Sequence, residues 1–307
     1  MKEIAVLLNP ASGGGKSLHV RNKIEKYFHN NNIKYDLFVS KNESHLKELT
    51  QNKTTKYPVI IGVGGDTTFN IIVKEILRGG EKNTFGMIGA GSTNDFVRGL
   101  GIDKIRLACD VIKRGKTRKI DIGQLKSPGI SEPLYFLAAL SIGLGVTVKQ
   151  YVDDFNRNFK IRLKPRLLKQ TIPGTLGTLY SFTSNKLPIK LSIEYNKIKK
   201  ECMVSGLAFL NTPFVAHGLK LIPEASPFDG KIDACIITTS AFFKTFIIGV
   251  TAYKAKHLKM KEVETIRAQS IKVYPEHPVD IQADGFIFSG FKEFEISVVP
   301  QALNILL

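Results

Sequence analysis

The sequence predicts an α/β protein. An N-terminal, doubly wound α/β domain would be followed by a C-terminal antiparallel β-sandwich domain. Three observations carry this. Before residue 100, a buried-type apolar run ends three times in a small, glycine-bearing loop that opens a helical pattern. Strand-like and helix-like segments alternate up to about Ile120, as a mostly parallel sheet requires. Beyond Ile120 the texture changes to short strands punctuated by Pro188, Asp229-Gly230 and Asp284-Gly285, as in antiparallel sheets. The expected division is 1–122 and 123–299, with a tail of about 300–307 returning to the first domain.

Taken in order, strands are expected over 4–8, 35–39, 59–63 and 84–88. Helices are expected over 17–31, 43–51, 67–78, 93–100 and 105–113. In the third helix Phe69, Ile72, Val73, Ile76 and Leu77 form one apolar stripe at helical spacing, and Gly79-Gly80 is a natural stop. Gly115 would end the last. The second part reads as strands over 119–125, 135–140, 190–193, 202–211, 231–238, 270–273, 279–283 and 294–299.

The chain has 307 residues, 43% of them apolar, with 44 Lys+Arg against 27 Asp+Glu and a net charge of +17. That excess favours a polyanionic partner: nucleic acid, nucleotide or an anionic membrane face. No zinc knuckle, RNP-like strand or recognition helix supports nucleic acid. Cys109, Cys202 and Cys235 are odd in number and far apart, which excludes a disulfide framework and suggests small core residues in a reducing compartment. Met1-Lys2-Glu3 leads directly into a short strand, so no signal peptide is expected. The greasiest stretch, 241–253, is interrupted by Lys244 and too short to span a bilayer. A cytoplasmic protein is expected.

The three loops read as a nucleotide site. They are Asn9-Pro10-Ala11-Ser12-Gly13-Gly14-Gly15-Lys16-Ser17, Gly64-Gly65-Asp66-Thr67-Thr68 and Gly89-Ala90-Gly91-Ser92-Thr93-Asn94-Asp95-Phe96. Ligands of open α/β sheets bind outside the carboxyl ends of the strands, glycine permits close approach, and helix-start amides favour phosphate. The first loop is not a P-loop, because its glycine-to-lysine spacing is wrong. Asp66 can serve a phosphate-metal site or cap a helix. Asp95 can cap its helix or hold the loop.

With these loops in place, the chain resembles the diacylglycerol kinase catalytic-domain family, nearest to the soluble bacterial lipid kinases and related to the sphingosine and ceramide kinases. Asn9-Pro10-Ala11-Ser12-Gly13 is similar to the family's first nucleotide loop, Gly64-Gly65-Asp66-Thr67-Thr68 to its Gly-Gly-Asp-Gly-Thr, and Gly91-Ser92-Thr93-Asn94-Asp95-Phe96 to its Gly-Thr-x-Asn-Asp-Phe. Ile142-Gly143-Leu144-Gly145, Pro223-Glu224-Ala225 with Asp229-Gly230-Lys231-Ile232-Asp233, and Asp284-Gly285 follow in family order. The departures are Thr67 for a glycine, Ile71 for a glutamate, and Phe286 for the glutamate of Asp-Gly-Glu; Val215-Ala216-His217-Gly218 stands where the family is richer in glycine. They bear on substrate choice and turnover.

The resemblance implies an ATP-dependent lipid kinase acting on diacylglycerol or a related lipid alcohol. ATP would contact Asn9, Ser12, Gly13, Lys16, Gly64, Gly65, Asp66, Thr67, Thr68, Gly91, Ser92, Thr93 and Asn94. Mg²⁺ would be held by the Asp229 carboxylate with the carbonyls of Ser226 and Lys231; magnesium prefers oxygen ligands. Asp284, otherwise a plain Asp-Gly hairpin residue, would take the proton from the lipid hydroxyl. The stretch 156–192 holds Arg157, Lys160, Arg162, Lys164, Arg166, Lys169, Lys186 and Lys190 and no acid. It reads either as a solvated face or as a contact for anionic lipid, which would make the protein peripheral at the membrane. A homodimer is compatible with all of this. The histidines read as surface residues, His217 alone falling in a cleft loop. The rival readings are an NAD kinase-like enzyme and a nucleotide-binding, membrane-associated regulator with weakened turnover.

Overall fold

The computed structural model describes residues 3–80, 82–158, 175–181 and 187–307. The chain begins β1 (Ile4–Leu8), α1 (Lys16–Asn30), β2 (Asp36–Val39), α2 (Glu43–Thr54), β3 (Val59–Gly64), α3 (Asp66–Gly79), β4 (Thr84–Gly89), α4 (Asp95–Gly99) and α5 (Ile105–Arg114). The four strands pair in parallel in the order β2-β1-β3-β4. β1 and β3 lie inside the sheet and are covered on both sides, hence their unbroken apolar runs. Right-handed crossovers running outward in opposite directions put α1 and α3 on opposite faces. α1 accordingly packs beside α5, and α2 beside α3. In α3 the stripe Phe69, Ile72, Val73 and Ile76 is buried, and Gly80 ends the helix in the left-handed conformation at φ 62°. The strand order reverses between β1 and β3, so their following loops flank the crevice of the sheet.

The rest of the chain is β5 (Thr117–Lys126), β6 (Leu134–Phe136), β7 (Ala139–Gly143), α6 (Leu144–Asn158), a short helix α7 (175–181), β8 (Ile189–Tyr195), β9 (Ile198–Val204), β10 (Gly206–Leu210), β11 (Phe214–Val215), β12 (Leu219–Lys220), β13 (Ile232–Ile237), α8 (Phe242–Ala252), a 3-10 turn (Lys256–Lys259), β14 (Val263–Ala268), β15 (Ser270–Pro275), β16 (Val279–Ala283), β17 (Phe286–Phe291) and β18 (Phe294–Leu306). One antiparallel sheet runs β14-β13-β10-β7-β16-β17. Its inner face, with Ile142, Phe209, Ala234 and Ile281, shares a core with Ile193, Ile271, Val273 and Ile296 of the sheet containing β8, β15 and β18. The two sheets form a sandwich.

β18 joins both halves. Glu295 to Val299 pair with β5 from Lys126 to Ile122, and Asn304 and Ile305 run parallel to β4. Between them the register shifts. At the shift Gln301 takes φ 49° and donates its N–H to buried Asp121 Oδ1 at 2.8 Å.

Two expected strands break, each for a physical reason. The run 135–140 divides at Leu137 and Ala138, whose amides turn to the Asp284 carboxylate. The run 202–211 divides at Ser205, where the chain passes from one sheet to the other and the Ser205 N–H bonds Ile237 O at 2.8 Å. His257 is not a surface residue. It is fully buried, with Nε2 3.0 Å from Leu221 O, and burial holds its pKa below the usual histidine value.

Candidate active site

The first loop is shaped by three successive glycines, Gly13, Gly14 and Gly15, at φ 63°, 67° and 88°. Residues with side chains are strained in that conformation. The turn is fastened below by Ser17 Oγ, which donates to Asn9 O at 2.5 Å. Asn9 Nδ2 reaches α3 and donates to Thr68 Oγ1 at 3.0 Å. The three loops then touch one another through backbone. A Cβ on Gly13 would lie 2.5 Å from Ala90 O, and one on Gly65 would lie 2.9 Å from Gly91 Cα and 3.4 Å from Ser12 Oγ. Asn9, Ser12, Gly13, Gly64, Gly65, Thr68 and Gly91 are thus brought together, with Lys16 opening α1.

Asp66 turns toward the third loop. Its carboxylate accepts from Thr93 Oγ1 at 2.6 Å, Asp95 N at 3.0 Å and Phe96 N at 3.1 Å. It therefore caps α4 with a side chain from another helix, satisfying amides that a helix start leaves unpaired. Asn94, at φ 56°, accepts from Gly91 N at 2.9 Å and closes the same loop. Ser92 is exposed at its tip. Asp95 is buried and bonds Arg98 Nη1 at 2.6 Å and His217 N at 3.1 Å. Burial first, and then the neighbouring Asp66, push Asp95 up to about 6. Ala216, His217 and Gly218 are all left-handed, at φ 46°, 71° and 99°, and this bends their loop over α4. The place of His217 comes from its backbone N–H.

Asp284 sits where the two halves meet. Asp284 and Gly285, at φ 44° and 98°, are the two turn residues between β16 and β17, the left-handed pair that a two-residue hairpin favours. The side chain does more than make a turn. Oδ2 accepts from Leu137 N at 2.5 Å and Asn70 Nδ2 at 3.0 Å; Oδ1 accepts from Ala138 N at 3.0 Å and Ala139 N at 3.2 Å. Burial pushes its pKa up to about 6, opposed by the amide of Leu137 and reinforced by the charge of Asp66. Thr67 Oγ1, at the position where the family has glycine, donates to Asp284 O at 3.2 Å. The hairpin therefore rests on the start of α3, beside the three loops.

The residues expected to hold a divalent cation lie in the segment that leads into β13. Asp229 Oδ1 accepts from Lys231 N at 3.0 Å, and Oδ2 pairs with the Arg267 guanidinium. Arg267 Nε also lies 3.9 Å from Asp233 Oδ1. As arranged, this set does not fit a divalent cation, because the carboxylate that would be its one charged ligand is already paired with the Arg267 guanidinium. Asp233 Oδ2 is buried without a hydrogen-bond partner, and burial pushes that carboxyl up to about 6. Ser226 belongs to the same segment. Among the described residues no three His, Cys, Asp or Glu side chains gather as a metal cluster.

Sequence reasoning missed Asn70 and Asp121. Asn70 also donates to Tyr135 O at 2.8 Å, so one amide spans α3, β6 and the Asp284 turn. Its signal was a polar residue beside the apolar stripe of an otherwise buried helix. Asp121 accepts from Gly230 N at 2.7 Å as well as from Gln301, tying β5 to the Asp229 turn and to the bend in β18. Of the basic run, Lys160, Arg162, Lys164, Arg166, Lys169 and Lys186 lie outside the described residues. Arg157 stands in the last turn of α6, and Lys190 is 3.4 Å from Glu276.

Comparison with known proteins agrees with this architecture. Residues 3–125 match the diacylglycerol kinase catalytic domain, and residues 138–307 match the YegS C-terminal NAD kinase beta sandwich-like domain. A Bacillus subtilis (strain 168) protein named "Putative lipid kinase YtlR" is 27% identical over 307 residues, covering 97% of each chain. A diacylglycerol kinase from the same organism is 25% identical over 298 residues, covering 93% of this chain and 90% of its own. A crystal structure of a diacylglycerol kinase from Bacillus anthracis str. Sterne matches in fold with a TM-score of 0.72 at 16% identity, covering 99% of this chain and 96% of that one.

Proposed function

The chain belongs to the diacylglycerol kinase family of lipid kinases, joining that family's catalytic domain to its sandwich-like partner, and we propose that it transfers the γ-phosphoryl group of ATP to the hydroxyl of diacylglycerol or a related lipid. One observation carries this reading most. A buried carboxylate whose pKa is pushed toward neutrality, Asp284, stands on the start of α3 beside three loops suited to phosphate.

In this reading ATP enters as its magnesium complex and lies over the loops after β1, β3 and β4. Helix-start amides and Lys16 offset phosphate charge. The lipid hydroxyl approaches from the sandwich side. Its oxygen forms a bond to the γ-phosphorus, the bond to the bridging oxygen breaks, ADP leaves, and the hydroxyl proton passes to Asp284. Positioning and electrostatics supply most of such catalysis. A pKa near 6 leaves Asp284 ionised at neutral pH and close to the optimum for a base. Its four acceptor sites are filled, three by fixed backbone amides, so Asn70 is the donor that must rotate away to open one. No step runs through Asp229.

The enzyme would work from the cytoplasm at an anionic membrane face, consistent with its charge of +17. No helix among the described residues is long and apolar enough to cross a membrane. The deciding experiment supplies γ-labelled ATP with a panel of lipid alcohols dispersed in phosphatidylglycerol, with NAD as a parallel acceptor. Label in a lipid is expected. Label in NAD alone, or in no acceptor, would overturn the reading.

A further inference from the structure

Helix α8 has two apolar faces, and the fold uses only one. Thr245, Ile248 and Ala252 are buried, where the helix packs against β12 and the following 3-10 turn. On the opposite side Phe243 is 77% exposed, Phe246 44%, Ile247 49%, Val250 56% and Tyr253 58%. Their spacing, 243-246-247-250-253, is that of a single helical stripe. A helix that met only water on this side would carry polar residues there. The segment 241–261 instead holds five lysines, 244, 254, 256, 259 and 261, and no acid; Lys244 is paired with Glu262, which leaves the other four to meet anions. Lys254, Lys256, Lys259 and Lys261 are exposed beside the stripe.

We propose that α8 is an interfacial anchor, its outer stripe inserted among the acyl chains of an anionic bilayer while the lysines meet the headgroups. This rests on the lipid-kinase reading above and assigns the surface by which such an enzyme reaches its substrate. The composition suits the interface, where aromatic and aliphatic side chains enter and Lys stays at the headgroups. At 11 residues the helix cannot span a membrane and must lie in its plane. A second copy of this chain would bring the same net charge of +17 to the contact, whereas an anionic bilayer complements it.

The position of α8 also links it to the cleft. His257, just after the helix, fixes Leu221 O through Nε2 at 3.0 Å. Leu221 follows β12, which pairs with β11, and the loop between them sends the His217 N–H to Asp95. An anchored α8 would therefore hold the loop that covers α4 at the membrane.

Co-sedimentation with vesicles tests this, using phosphatidylcholine alone and phosphatidylcholine with phosphatidylglycerol. The wild-type protein and a Phe243→Ser, Ile247→Ser protein would be compared, and both substituted residues are exposed. Wild type should bind the phosphatidylglycerol vesicles more tightly, with salt weakening the binding. The double variant should bind at least roughly tenfold more weakly, since burying each apolar side chain is worth about that much. Phosphorylation of a short-chain, water-soluble diacylglycerol should be the same for both. Equal vesicle binding by the two proteins, or no binding by wild type, would overturn the anchor. So would a wild-type dimer in analytical ultracentrifugation that the double variant converts to monomer. If wild type binds vesicles through this face yet phosphorylates no lipid, the anchor stands and the kinase reading falls.

Discussion

The three glycine loops and the Asp284 turn meet in one cleft but are held in different ways. In the loops, backbone lies against backbone: Gly13 against Ala90, and Gly65 against Gly91, with side chains such as Asn9 and Asp66 stitching the edges. At the turn, one carboxylate gathers three successive amides and Asn70 from segments far away in sequence. A loop built on missing side chains is sensitive to any added atom. A junction built on one charged side chain is sensitive to its loss.

The largest effect follows from removing that side chain. Asp284→Ala leaves the buried amides of 137 and 138 and the part-buried amide of 139 without acceptors, and each buried unsatisfied group costs about 1–3 kcal/mol. Chemical denaturation should show a loss of at least about 3 kcal/mol; a loss under about 1 kcal/mol would mean the junction holds without the carboxylate.

Next come the loops. A Cβ on Gly91 would press on the Gly65 backbone, whereas one on Gly14 would meet open space and only a positive φ. Gly91→Ala should cost about 1–3 kcal/mol by overpacking, and Gly14→Ala about 1 kcal/mol from backbone strain. Equal costs in thermal denaturation would remove the distinction between crowded and merely left-handed glycines.

Asn70→Ala should have a smaller structural effect, roughly 1–2 kcal/mol, and a diagnostic chemical one. Its bond favours the ionised form of Asp284, so losing it raises the carboxyl pKa further. The acid limb of the rate profile should move to higher pH; an unmoved limb would exclude Asn70 as a partner of the titrating group.

The smallest expected change lies outside the cleft. If Arg267 is the cation of the Asp229 turn, the melting temperature of the wild-type protein should be the same in Mg²⁺ and in EDTA. Arg267→Gln should add a rise of a few degrees in Mg²⁺, because Asp229 and Asp233 are then free to bind it. A magnesium-dependent wild type would show that Arg267 yields the site.

Much of the first region was legible in the sequence. Parallel strands buried on both faces read as apolar runs, and the glycine loops follow them directly. The second region was less legible because its bonds connect residues such as Asn70, Leu137 and Asp284, whose proximity no local pattern encodes. Asp-Gly announced the turn, but not the amides turned onto its carboxylate, and the expected strand over 135–140 hid the break they impose. The cation site was carried by resemblance alone, and Arg267, more than thirty positions away in the sequence, could not be foreseen beside it. α8 escaped as a helix because apolar residues on two opposite faces blur the amphipathic period by which surface helices are recognised.

Asp284 joins the halves, and we propose that it also accepts the lipid proton. That second role is tested most directly by the rate of lipid phosphorylation, as kcat/KM, from pH 5 to 8 in wild type and in Asp284→Asn, with folding checked by denaturation at each pH. Wild type should be level near neutrality and fall about tenfold per pH unit below about 6 as the carboxylate protonates. The variant should be slower by roughly a hundred- to ten-thousand-fold and show no bend in that range. A folded Asp284→Asn protein that keeps the parental rate and the parental bend would show that Asp284 is not the base.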